Sequence, residues 1–592
     1  MKKIKKEYGI TLVALVITII ILLILAGISI SSITGKDGLL SKAQVAKIQT
    51  DIANEKEGIG LAVTTTRISD NGYGNIEKDS LQEALDGQFG KEKTTVEDNG
   101  DKTYTITINN SDKRKYTVEE DGTITEGQYD KWNGTEATEP AEKTENEIHI
   151  YTVAELKWLA DQVNNEGNLF EGYTIYLENN LDLGAREENG NWETEANEKL
   201  KWTAIGNEEK ILKATFDGNR HVIKGVYVNS TTEYNGIFGN SNAILNLTVK
   251  NSYIKAAKKT AGIVGELAEG KIENCHNVNT TVIGITGGYS FGGIVGHAGG
   301  EVLNCSNTGK IVGSKPNDKK YSQTGGIVGL AKNNVKNCYN FGSISGEGTF
   351  VGGIAGYAYT SSQITNCYNT GTITGNSNYV GGIVGYANTS SQITNCYNTG
   401  TITGNSNYVG GIAGCAYTSS QITDCYNTGT ITGDGNWVGG IAGVAANIIT
   451  KSYNTGKVKG KENIGGIVGD CVTKIPQNIS LCYNTGTVEG VKEVGGISGY
   501  LGAQGYAGTE TKCYNKGKII YIGTEENYGE IVGHMANDAT VTKCYYLANN
   551  DNNYGVGTIN PDGNIEEQRK GAQKTDVDLK TFEEFMNWIE QQ

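Results

Sequence analysis

A short unit repeated along most of the chain limits its fold more than any other feature of the sequence. The stretch VGGIAGYAYTSSQITNCYNTGTITGNSNY, residues 351–379, is followed by a copy that differs at two of 29 positions, and then by a third copy. The same Gly-Ile-x-Gly pattern recurs eleven times, with Glu530 in place of the first glycine in the last copy. Its isoleucines are Ile237, Ile263, Ile294, Ile327, Ile354, Ile383, Ile412, Ile441, Ile467, Ile497 and Ile531. One unit cannot bury its own apolar face, whereas stacked units form a continuous core, so we expect a solenoid.

Each unit is predicted to contain three short strands separated by turns. The strands are GGIVGYA, QITNCYN and TGTITG, and they are bounded by Gly, Asn or Ser. Glycine accounts for 82 of 592 residues, but proline for only four, and no three-residue period is present, which excludes a collagen helix. Coils stacked about 4.8 Å apart would place each isoleucine above the previous one.

The repeat resembles the GLUG motif, which is found in bacterial surface proteins and beside the catalytic domain of some immunoglobulin A proteases. The resemblance covers residues 230–550 and, through the segment that usually leads the motif, residues 147–230. Within that segment, FDGNRHVIKG resembles the first coil of pectate-lyase-like right-handed β-helices. A mainly β protein with a right-handed parallel β-helix, or β-solenoid, of about 11–13 coils is implied. No particular activity is implied, because the motif accompanies different functions.

Nine of the eleven cysteines occupy one position of the repeat, and Ser452 takes that position in another coil. They are Cys275, Cys305, Cys338, Cys367, Cys396, Cys425, Cys482, Cys513 and Cys544. In-register residues of stacked coils hold their Cβ atoms about 4.8 Å apart, whereas a disulfide needs about 3.8 Å. We therefore expect buried thiols that act as small apolar fillers.

A bend before each cysteine is required if the apolar residues on both sides of it are to point inward. Simple alternation would place Ile364 and Cys367 on opposite faces, and a left-handed residue at Asn366 would correct this. We expect the asparagines at this position to form an inward column, hydrogen-bonded from coil to coil. They are Asn274, Asn304, Asn337, Asn366 and Asn395, and Asp424 follows in the next coil.

A row of tyrosines is the candidate binding site. The residue after each cysteine position points outward in this arrangement, and from the third such position onward it is always tyrosine. The row consists of Tyr339, Tyr368, Tyr397, Tyr426, Tyr453, Tyr483, Tyr514 and Tyr545. Stacking of the rings on one another explains the row without any function. The functional hypothesis is a platform for sugar rings or for the apolar surface of a partner.

The N-terminus predicts a membrane segment. The sequence MKKIKKEYG precedes ITLVALVITIIILLILAGISI, an uncharged run of 21 residues from Ile10 to Ile30 that can cross the bilayer as a helix. Four lysines precede the run, which predicts a cytoplasmic N-terminus and places the rest of the chain outside. A cleaved secretory signal is the alternative interpretation.

The basic leader, Gly9 and ITLVALVITI resemble the signal of type IV prepilins and type II secretion pseudopilins. The resemblance implies that a prepilin peptidase cleaves between Gly9 and Ile10 and that pilin-like subunits are partners. The fifth mature position, usually Glu in that family, is Ala14 here. This departure argues against a major filament subunit and leaves a minor subunit or a simple membrane tether.

Smaller elements are predicted around the repeats. Apolar alternation from Tyr104 to Ile108, between Asn-Gly and Asp-Gly turns, indicates an antiparallel sheet. Thr152 and Glu155 form the capping-box pattern of a helix that caps the solenoid, and an apolar stripe ending at Ile589 predicts a second cap.

The predicted organisation is a basic leader (1–9), a transmembrane helix (10–33), a pilin-like helix and small β region (34–126), an acidic linker (127–146), opening coils with the cap helix (147–230), GLUG-type repeats (231–548) and a tail with a capping helix (549–592).

The net charge and the absence of several motifs exclude some classes of function. The net charge of -15 repels phosphate backbones, so we expect no nucleic-acid partner. The sequence contains no HExxH zinc signature, no GxSxG in a strand-to-helix context and no phosphate-binding loop. It also lacks Cys-x-x-Cys and closely spaced His pairs. We therefore expect a protein that is not an enzyme and that has no cofactor and no metal site.

These features together predict a membrane-anchored, extracytoplasmic bacterial surface protein whose solenoid serves adhesion or ligand recognition. The expected partners are the membrane, through the N-terminal helix, and a glycan or a host or matrix surface. Two alternatives stay open. One is a minor pseudopilin of a type IV pilus or a type II secretion-like assembly. The other is a polysaccharide-active β-helix enzyme, which would need a pair of acids that breaks the repeat in adjacent coils, and none is evident.

Overall fold

The computed structural model describes residues 39–69, 76–100, 102–109, 114–120, 122–132, 136–315, 321–376, 378–471, 477–502, 508–524, 528–536, 538–547, 554–559 and 571–592. Two compact units are present, Met1–Gln128 and Tyr129–Gln592. The predicted membrane span and the processing residues Gly9 and Ile10 lie outside the described residues. Within the described ranges, no helix is both long and apolar enough to cross a membrane.

The first unit packs two helices against a small antiparallel sheet. The elements are α1 (Leu39–Ser69), α2 (Lys78–Phe89), β1 (Thr94–Asp98), β2 (Tyr104–Ile108), β3 (Lys115–Val118) and β4 (Ile124–Glu126), and the strands pair in chain order. Glu55 of α1 accepts hydrogen bonds from the Arg114 guanidinium and from the hydroxyl of Tyr116 on β3. Tyr116 is fully buried, so this polar contact joins the helix to the sheet inside the unit's own core.

Each regular coil of the second unit consists of five short strands. In the coil that begins near residue 350 they are Phe350–Gly352, Ala355–Ala358, Gln363–Thr365, Tyr368–Asn369 and Ile373–Gly375. The next coil pairs with it in parallel and in register, so that Ile364 is opposite Ile393 and Tyr368 is opposite Tyr397. The unit is thus a parallel β-solenoid of about 13 turns, in which equivalent positions of successive coils lie above one another.

The strands form three sheets. The 15-stranded sheet that contains the predicted tyrosine positions is called the tyrosine sheet. Its strands are Tyr129–Lys131, Asn180–Asp182, Val222–Lys224, Thr248–Lys250, His276–Val278, Ser306–Asn307, Tyr339–Asn340, Tyr368–Asn369, Tyr397–Asn398, Tyr426–Asn427, Tyr453–Asn454, Tyr483–Asn484, Tyr514–Asn515, Cys544–Leu547 and Ala572–Thr575.

The other two sheets complete the solenoid. The second consists of Tyr227–Asn229, Glu233–Asn235, Tyr253–Ala261, Thr281–Gly292, Lys310–Gly313, Gln323–Gly325, Ile344–Gly346, Phe350–Gly352, Ile373–Gly375, Val380–Gly381, Ile402–Gly404, Val409–Gly410, Ile431–Gly433, Val438–Gly439, Val458–Lys459, Glu462–Gly465, Val488–Gly490, Lys492–Gly495, Ile519–Tyr521 and Tyr528–Gly529. The third consists of Glu147–Ile150, Thr174–Leu177, Leu212–Asp217, Phe238–Leu245, Val264–Glu273, Val295–Ala298, Glu301–Leu303, Val328–Ala331, Val335–Lys336, Ala355–Ala358, Gln363–Thr365, Val384–Ala387, Gln392–Thr394, Ala413–Ala416, Gln421–Thr423, Ala442–Ala445, Ile448–Thr450, Val468–Asp470, Gln477–Ser480, Ser498–Leu501, Gly508–Thr511, Val532–Met535, Thr540–Thr542 and Val556–Ile559.

Short helices accompany the solenoid. They are α3 (Val153–Asp161), which continues into a π-helical turn (Gln162–Glu166), α4 (Glu195–Lys199) and α5 (Phe582–Ile589). The capping box predicted for α3 is confirmed, because the Thr152 side chain accepts from the Glu155 amide and the Glu155 carboxylate accepts from the Thr152 amide. Leu156 and Leu159 of α3 are fully buried and belong to the same apolar core as the coils.

Each coil has five strands where three were predicted, because two of the predicted strands divide. The GGIVGYA segment forms Val380–Gly381 and Val384–Ala387, and QITNCYN divides at its center. Asn366 has a φ of 54°, and this left-handed residue ends Gln363–Thr365 before Tyr368–Asn369 begins. The bend predicted at this position is therefore confirmed, and it recurs in the other coils. The left-handed residues are Asn274, Asn304, Asn337, Asn366, Asn395, Asp424, Lys451, Leu481, Lys512 and Lys543.

Part of the segment predicted as an acidic linker is a strand. Tyr129–Lys131 pairs with Asn180–Asp182 as the first strand of the tyrosine sheet. The Tyr129 side chain is buried, and the Lys224 Nζ lies 3.8 Å from the center of its ring. A cation over an aromatic face stabilises the contact between these two strands. The sequence did not show this strand, because three residues are too few to reveal a periodic pattern.

Candidate ligand-binding surface

A buried column of asparagines supports the tyrosine sheet. The Asn369 Nδ2 donates to the Asn398 Oδ1 at 2.8 Å and to the Gly371 carbonyl at 2.9 Å, and the pattern repeats from coil to coil. The column consists of Asn277, Asn307, Asn340, Asn369, Asn398, Asn427, Asn454, Asn484 and Asn515, all fully buried. Each side-chain amide thus donates a hydrogen bond to an acceptor within the core. These bonds hold the adjoining outward residues at a fixed spacing.

The inward asparagine column predicted at the bend is wrong in its position. Asn366 and Asn395 are partly exposed and exposed, respectively, although the Asn395 Nδ2 does donate to the Asn366 Oδ1 at 2.8 Å. Because the left-handed bend reverses the alternation, Cys367 and Asn369 point inward and Tyr368 points outward. The recurring Cys-Tyr-Asn triplet carried this signal, since residues two apart on a strand share a face.

The cysteine column lies beside these asparagines. All eleven cysteines are free thiols and are buried, as predicted for the nine in the column. The Cys396 Sγ donates to the Thr394 carbonyl at 3.3 Å and accepts from the Cys367 amide at 3.4 Å. Burial raises the pKa of the Cys396 thiol well above its ordinary value. The Cys396 thiol is therefore neutral, so it packs the core and does not act as a nucleophile.

The first half of the predicted tyrosine row forms a stack on the outside of the tyrosine sheet. Ring centers lie 4.8 Å apart between Tyr368 and Tyr397 and between Tyr397 and Tyr426, with interplanar angles of 8° and 3°. The stack extends to Tyr339 at 4.3 Å and to Tyr453 at 4.9 Å. All five side chains are half-buried. Their ring faces contact one another, so the outward surface consists of ring edges and hydroxyl groups.

The second half of the row is covered by α5. The Tyr483 hydroxyl donates to the Leu579 carbonyl at 2.6 Å, and Phe585 stacks on Tyr483 with ring centers 5.5 Å apart. Tyr514 is also fully buried, and burial raises its pKa to about 12. The ring centers of Tyr545 and Trp588 lie 4.8 Å apart in an edge-to-face arrangement.

The position of α5 differs from the predicted second cap. Its apolar side packs across Tyr453, Tyr483 and Tyr514 on the outside of the tyrosine sheet. The stripe of apolar residues was identified correctly, but its partner is a row of aromatic rings. An amphipathic stripe shows that a helix has a surface to cover and does not show which surface.

A second group of aromatic residues, which the sequence analysis missed, lies between the second and third sheets. Tyr379 stacks on Tyr408 with ring centers 4.5 Å apart, and Tyr408 stacks on Trp437 at 4.7 Å. The group, called the aromatic cluster, contains Phe350, Tyr357, Tyr359, Tyr379, Tyr386, Tyr408, Tyr417 and Trp437. The signal was present in the sequence, because each of the three similar copies ends in an aromatic residue.

Two features distinguish the aromatic cluster from the tyrosine row. Tyr379, Tyr408 and Trp437 have φ values of 58°, 61° and 61°, which bulky residues seldom adopt. Tyr359 and Tyr417 are 46% and 44% exposed, so large aromatic surfaces face solvent. The positive φ recurs at Asn463 and Glu493 in the equivalent position, so it belongs to the repeat, whereas exposed aromatic rings are typical of surfaces that bind a ligand.

Two buried acids, which the sequence analysis did not recognise, interrupt the columns in the later coils (residues 462–547). Glu510 lies opposite Ile479 and Val541 in the parallel ladder, and Glu530 replaces the glycine before Ile531. The Asn515 Nδ2, at the end of the asparagine column, donates to the Glu530 Oε2 at 3.2 Å. Burial raises the pKa of Glu510 to about 8. Both carboxyl groups are inside the core and do not form a surface pair for glycoside hydrolysis.

Comparison with known proteins supports the assignment of the repeat. The family model of the GLUG motif matches residues 287–312, 348–374, 376–403 and 405–432. The chain therefore carries GLUG motif repeats, as the resemblance implied. These matches begin at residue 287, so the prepilin-like N-terminus stays a prediction. No curated protein matches the chain.

Two solved structures are similar to parts of the chain. One is a crystal structure of a proposed immunoglobulin A1 protease from Bacteroides ovatus, with 22% sequence identity and a TM-score of 0.34, covering 50% of this chain and 80% of that chain. The other is described as IgA1 Protease, with 14% identity and a TM-score of 0.19, covering 83% of this chain and 28% of that chain.

These names contradict the prediction that the protein is not an enzyme, and we withdraw that prediction. It rested on missing motifs, and a missing motif excludes only the chemistry that the motif encodes. The structural likeness assigns no reaction and no catalytic residue to this chain, because fold similarity at these scores does not transfer a function.

Proposed function

We propose that the solenoid is a ligand-recognition surface, used for adhesion, whose ligand contacts the aromatic residues of the regular coils. The observation that carries this proposal is the division of the tyrosine row. Where the chain supplies α5, the row is covered by aromatic and aliphatic side chains, and from Tyr339 to Tyr426 the same row is open. An aromatic surface that docks a partner at one end is suited to dock another along its open length.

A glycan is the ligand class that we favour. A sugar ring packs against an open aromatic face, and its hydroxyls bond to phenol groups at the ring edge. In the tyrosine row the faces are occupied by neighbouring rings, which leaves edges and hydroxyls. The exposed rings of Tyr359 and Tyr417 in the aromatic cluster offer the larger apolar surface. The two surfaces therefore make different contributions that substitutions can separate.

The test is binding of the full-length chain to an array of glycans and matrix proteins. The first variant changes Tyr368, Tyr397 and Tyr426 to Ser, and the second changes Tyr359 and Tyr417 to Ser. Each serves as the matched control for the other, because both remove tyrosines from the same coils. We expect at least one variant to weaken glycan binding by roughly 100-fold, since each aromatic contact contributes about 0.5–1.5 kcal/mol.

The outcomes decide the proposal. Loss in the first variant alone would locate the site in the tyrosine row, and loss in the second alone would locate it in the aromatic cluster. Glycan binding that both variants retain in full, or no binding by the unmodified chain, would contradict the proposal. Circular dichroism of each variant shows whether the solenoid is still folded.

We propose further that the N-terminal segment tethers the solenoid outside the cytoplasmic membrane. The uncharged run of 21 residues and the four preceding lysines support this proposal. Expressed in a bacterium with a prepilin peptidase, the chain should resist alkaline extraction from membranes and begin at Ile10. Gly9→Leu should retain the leader, and an unchanged N-terminus in that variant would contradict processing at Gly9. Recovery of the chain in sheared filaments would instead favour the role of a minor pseudopilin.

A further inference from the structure

Glu510 occupies a position that the rest of the solenoid fills with apolar residues. In the stacked ladder the same column holds Ile364, Ile393 and Ile449. Glu510 continues that column between Ile479 and Val541, and its side chain is fully buried. A carboxyl group in an apolar core is costly unless its oxygens have partners. Its contacts therefore need an explanation.

Among the described residues, one oxygen of this carboxyl group has a hydrogen bond. The Ser498 Oγ donates to the Glu510 Oε2 at 2.6 Å. Within the described part of the chain, no donor reaches the Glu510 Oε1, although this atom is buried. Ser498 is itself an exception in its column, where Val468 and Val532 lie in the adjacent coils. Ser498 and Glu510 are thus polar exceptions in two different apolar columns, and they contact each other.

The Glu510 carboxyl group lies beside two thiols. A carboxylate oxygen of Glu510 and the Sγ atoms of Cys513 and Cys544 all lie within 4.8 Å of one another. Cys513 and Cys544 are neighbours in the cysteine column and are fully buried. The other cysteine pairs stack in the same way, but Cys396, for example, follows Ile393 and has no acid at this distance among the described residues.

We propose that Glu510, Cys513 and Cys544 bind a transition-metal ion of the Zn²⁺ class within the core of the later coils. Two thiolates and one carboxylate are a donor set that Zn²⁺ accepts in four-coordinate sites, with a water molecule as the fourth ligand. Binding would release protons from the acidic groups and give the buried charge a counterion. Ser498 would orient the carboxylate through the oxygen that does not contact the metal.

The site differs from a generic acidic cluster in two independent respects. Its carboxyl group replaces an isoleucine in a column whose other members are apolar. This buried group has one oxygen without a donor among the described residues, and it lies beside two soft ligands. A neutral acid that only bonds to Ser498 is the competing explanation. Added metal distinguishes the two explanations, because a metal site gains stability from Zn²⁺ and a neutral buried acid does not.

The experiment measures metal bound by the full-length chain after refolding with a reductant. Refolding with Zn²⁺, followed by native mass spectrometry, should show one metal ion per chain. Refolding with Co²⁺ should give the near-ultraviolet charge-transfer absorption of thiolate ligands. Glu510→Gln should weaken Zn²⁺ binding by roughly 100-fold, and Ser498→Ala by about 10-fold.

Cys396→Ser is the matched control, because it alters the same column where no acid is present, and it should leave metal binding unchanged. Absence of bound Zn²⁺ and of the cobalt–thiolate absorption in the unmodified chain would overturn the proposal, whether or not the variants fold. The proposal would also be overturned if Glu510→Ile exceeded the unmodified chain in stability by the same amount with and without Zn²⁺. The unmodified chain would then gain nothing from the metal, and Glu510 would be a neutral buried acid.

Discussion

The regular coils, residues 351–437, and the later coils, residues 462–547, use the same columns for different purposes. Among the described residues from 325 to 462, the buried polar side chains are those of Asn and Ser. The later coils bury carboxyl groups as well, at Asp470, Glu493, Glu510 and Glu530. On the outside, the tyrosine row of the regular coils is open, whereas α5 covers its continuation.

The difference shows where sequence identity matters in a solenoid. Nearly identical coils stack the same residue in every column, so their amides and rings satisfy one another and their outer surface stays open. The later coils have diverged, and their unusual residues are directed to contacts within the molecule. We therefore expect substitutions in the two regions to have distinct consequences.

The largest effect is expected where α5 covers the row. Phe585→Ala removes a fully buried ring that lies against Tyr483 and Tyr514, and a change of this kind typically costs about 3–5 kcal/mol. The loss should release α5 locally, because the coils keep their own core. Hydrogen exchange of residues 576–592 should rise sharply, whereas exchange in the regular coils should stay constant.

Glu583→Ala is the control for this substitution, since Glu583 is exposed on the same helix. If α5 exchanged no faster in Phe585→Ala than in the control, the cover would not depend on the aromatic contact. Release of α5 would also make the later tyrosines resemble the open row. Increased glycan binding by Phe585→Ala would then connect this comparison to the proposed function.

The next effect concerns the asparagine column within the regular coils. Asn398→Leu removes the bonds of its Nδ2 to the Asn427 Oδ1 and to the Gly400 carbonyl, both 2.8 Å. It also leaves the Asn369 amide without its acceptor in the next coil. Each buried polar group left without a partner costs about 1–3 kcal/mol, so we expect a loss of roughly 3 kcal/mol in local stability.

Asn395→Gly provides the comparison, because glycine accepts the φ of 52° and the outer bond is exposed to water. Its cost should be only a few tenths of a kcal/mol. Hydrogen exchange of the regular coils measures both variants. Equal losses would mean that the inner column has no special role in joining the coils.

Much of the solenoid follows from the sequence, because one constraint is repeated eleven times. A parallel stack fixes the columns of Ile, Cys and Tyr, and the need for both Ile364 and Cys367 to face inward predicts the bend. The bend alone does not show how the alternation continues. For that reason the inner asparagine column was assigned to Asn366 instead of Asn369.

The candidate site was less accessible to the sequence for a physical reason. Exposure of Tyr368 follows from strand alternation, but burial of Tyr483 depends on α5, which is about 100 residues further along the chain. The aromatic cluster requires knowledge of which turns approach one another across successive coils. Glu510 was visible only as one acid in a polar segment until its ladder partners Ile479 and Val541 were known.

The smallest effect is a pH dependence that only the later coils should show. Glu493 is buried, and burial raises the pKa of its carboxyl group above the ordinary value, while Lys492 at 3.4 Å partly opposes the shift. The folded chain therefore holds this proton at a pH where the unfolded chain releases it. The resulting stabilisation is complete below the ordinary glutamate pKa of 4.5 and is lost as the pH rises through the higher pKa of the folded state.

Glu493→Gln should reduce this dependence, because the amide cannot ionise, whereas the buried Glu510 can still ionise. Local stability of residues 488–495, obtained from hydrogen exchange after correction for the intrinsic rates, should fall above pH 4.5 in the unmodified chain and should change less in the variant. Residues 380–410 bury Asn and Ser but no acid, so their stability should not fall as the pH rises above 4.5. A similar fall in both regions would show that the pH dependence arises from the whole solenoid and not from the acid that the later coils have acquired.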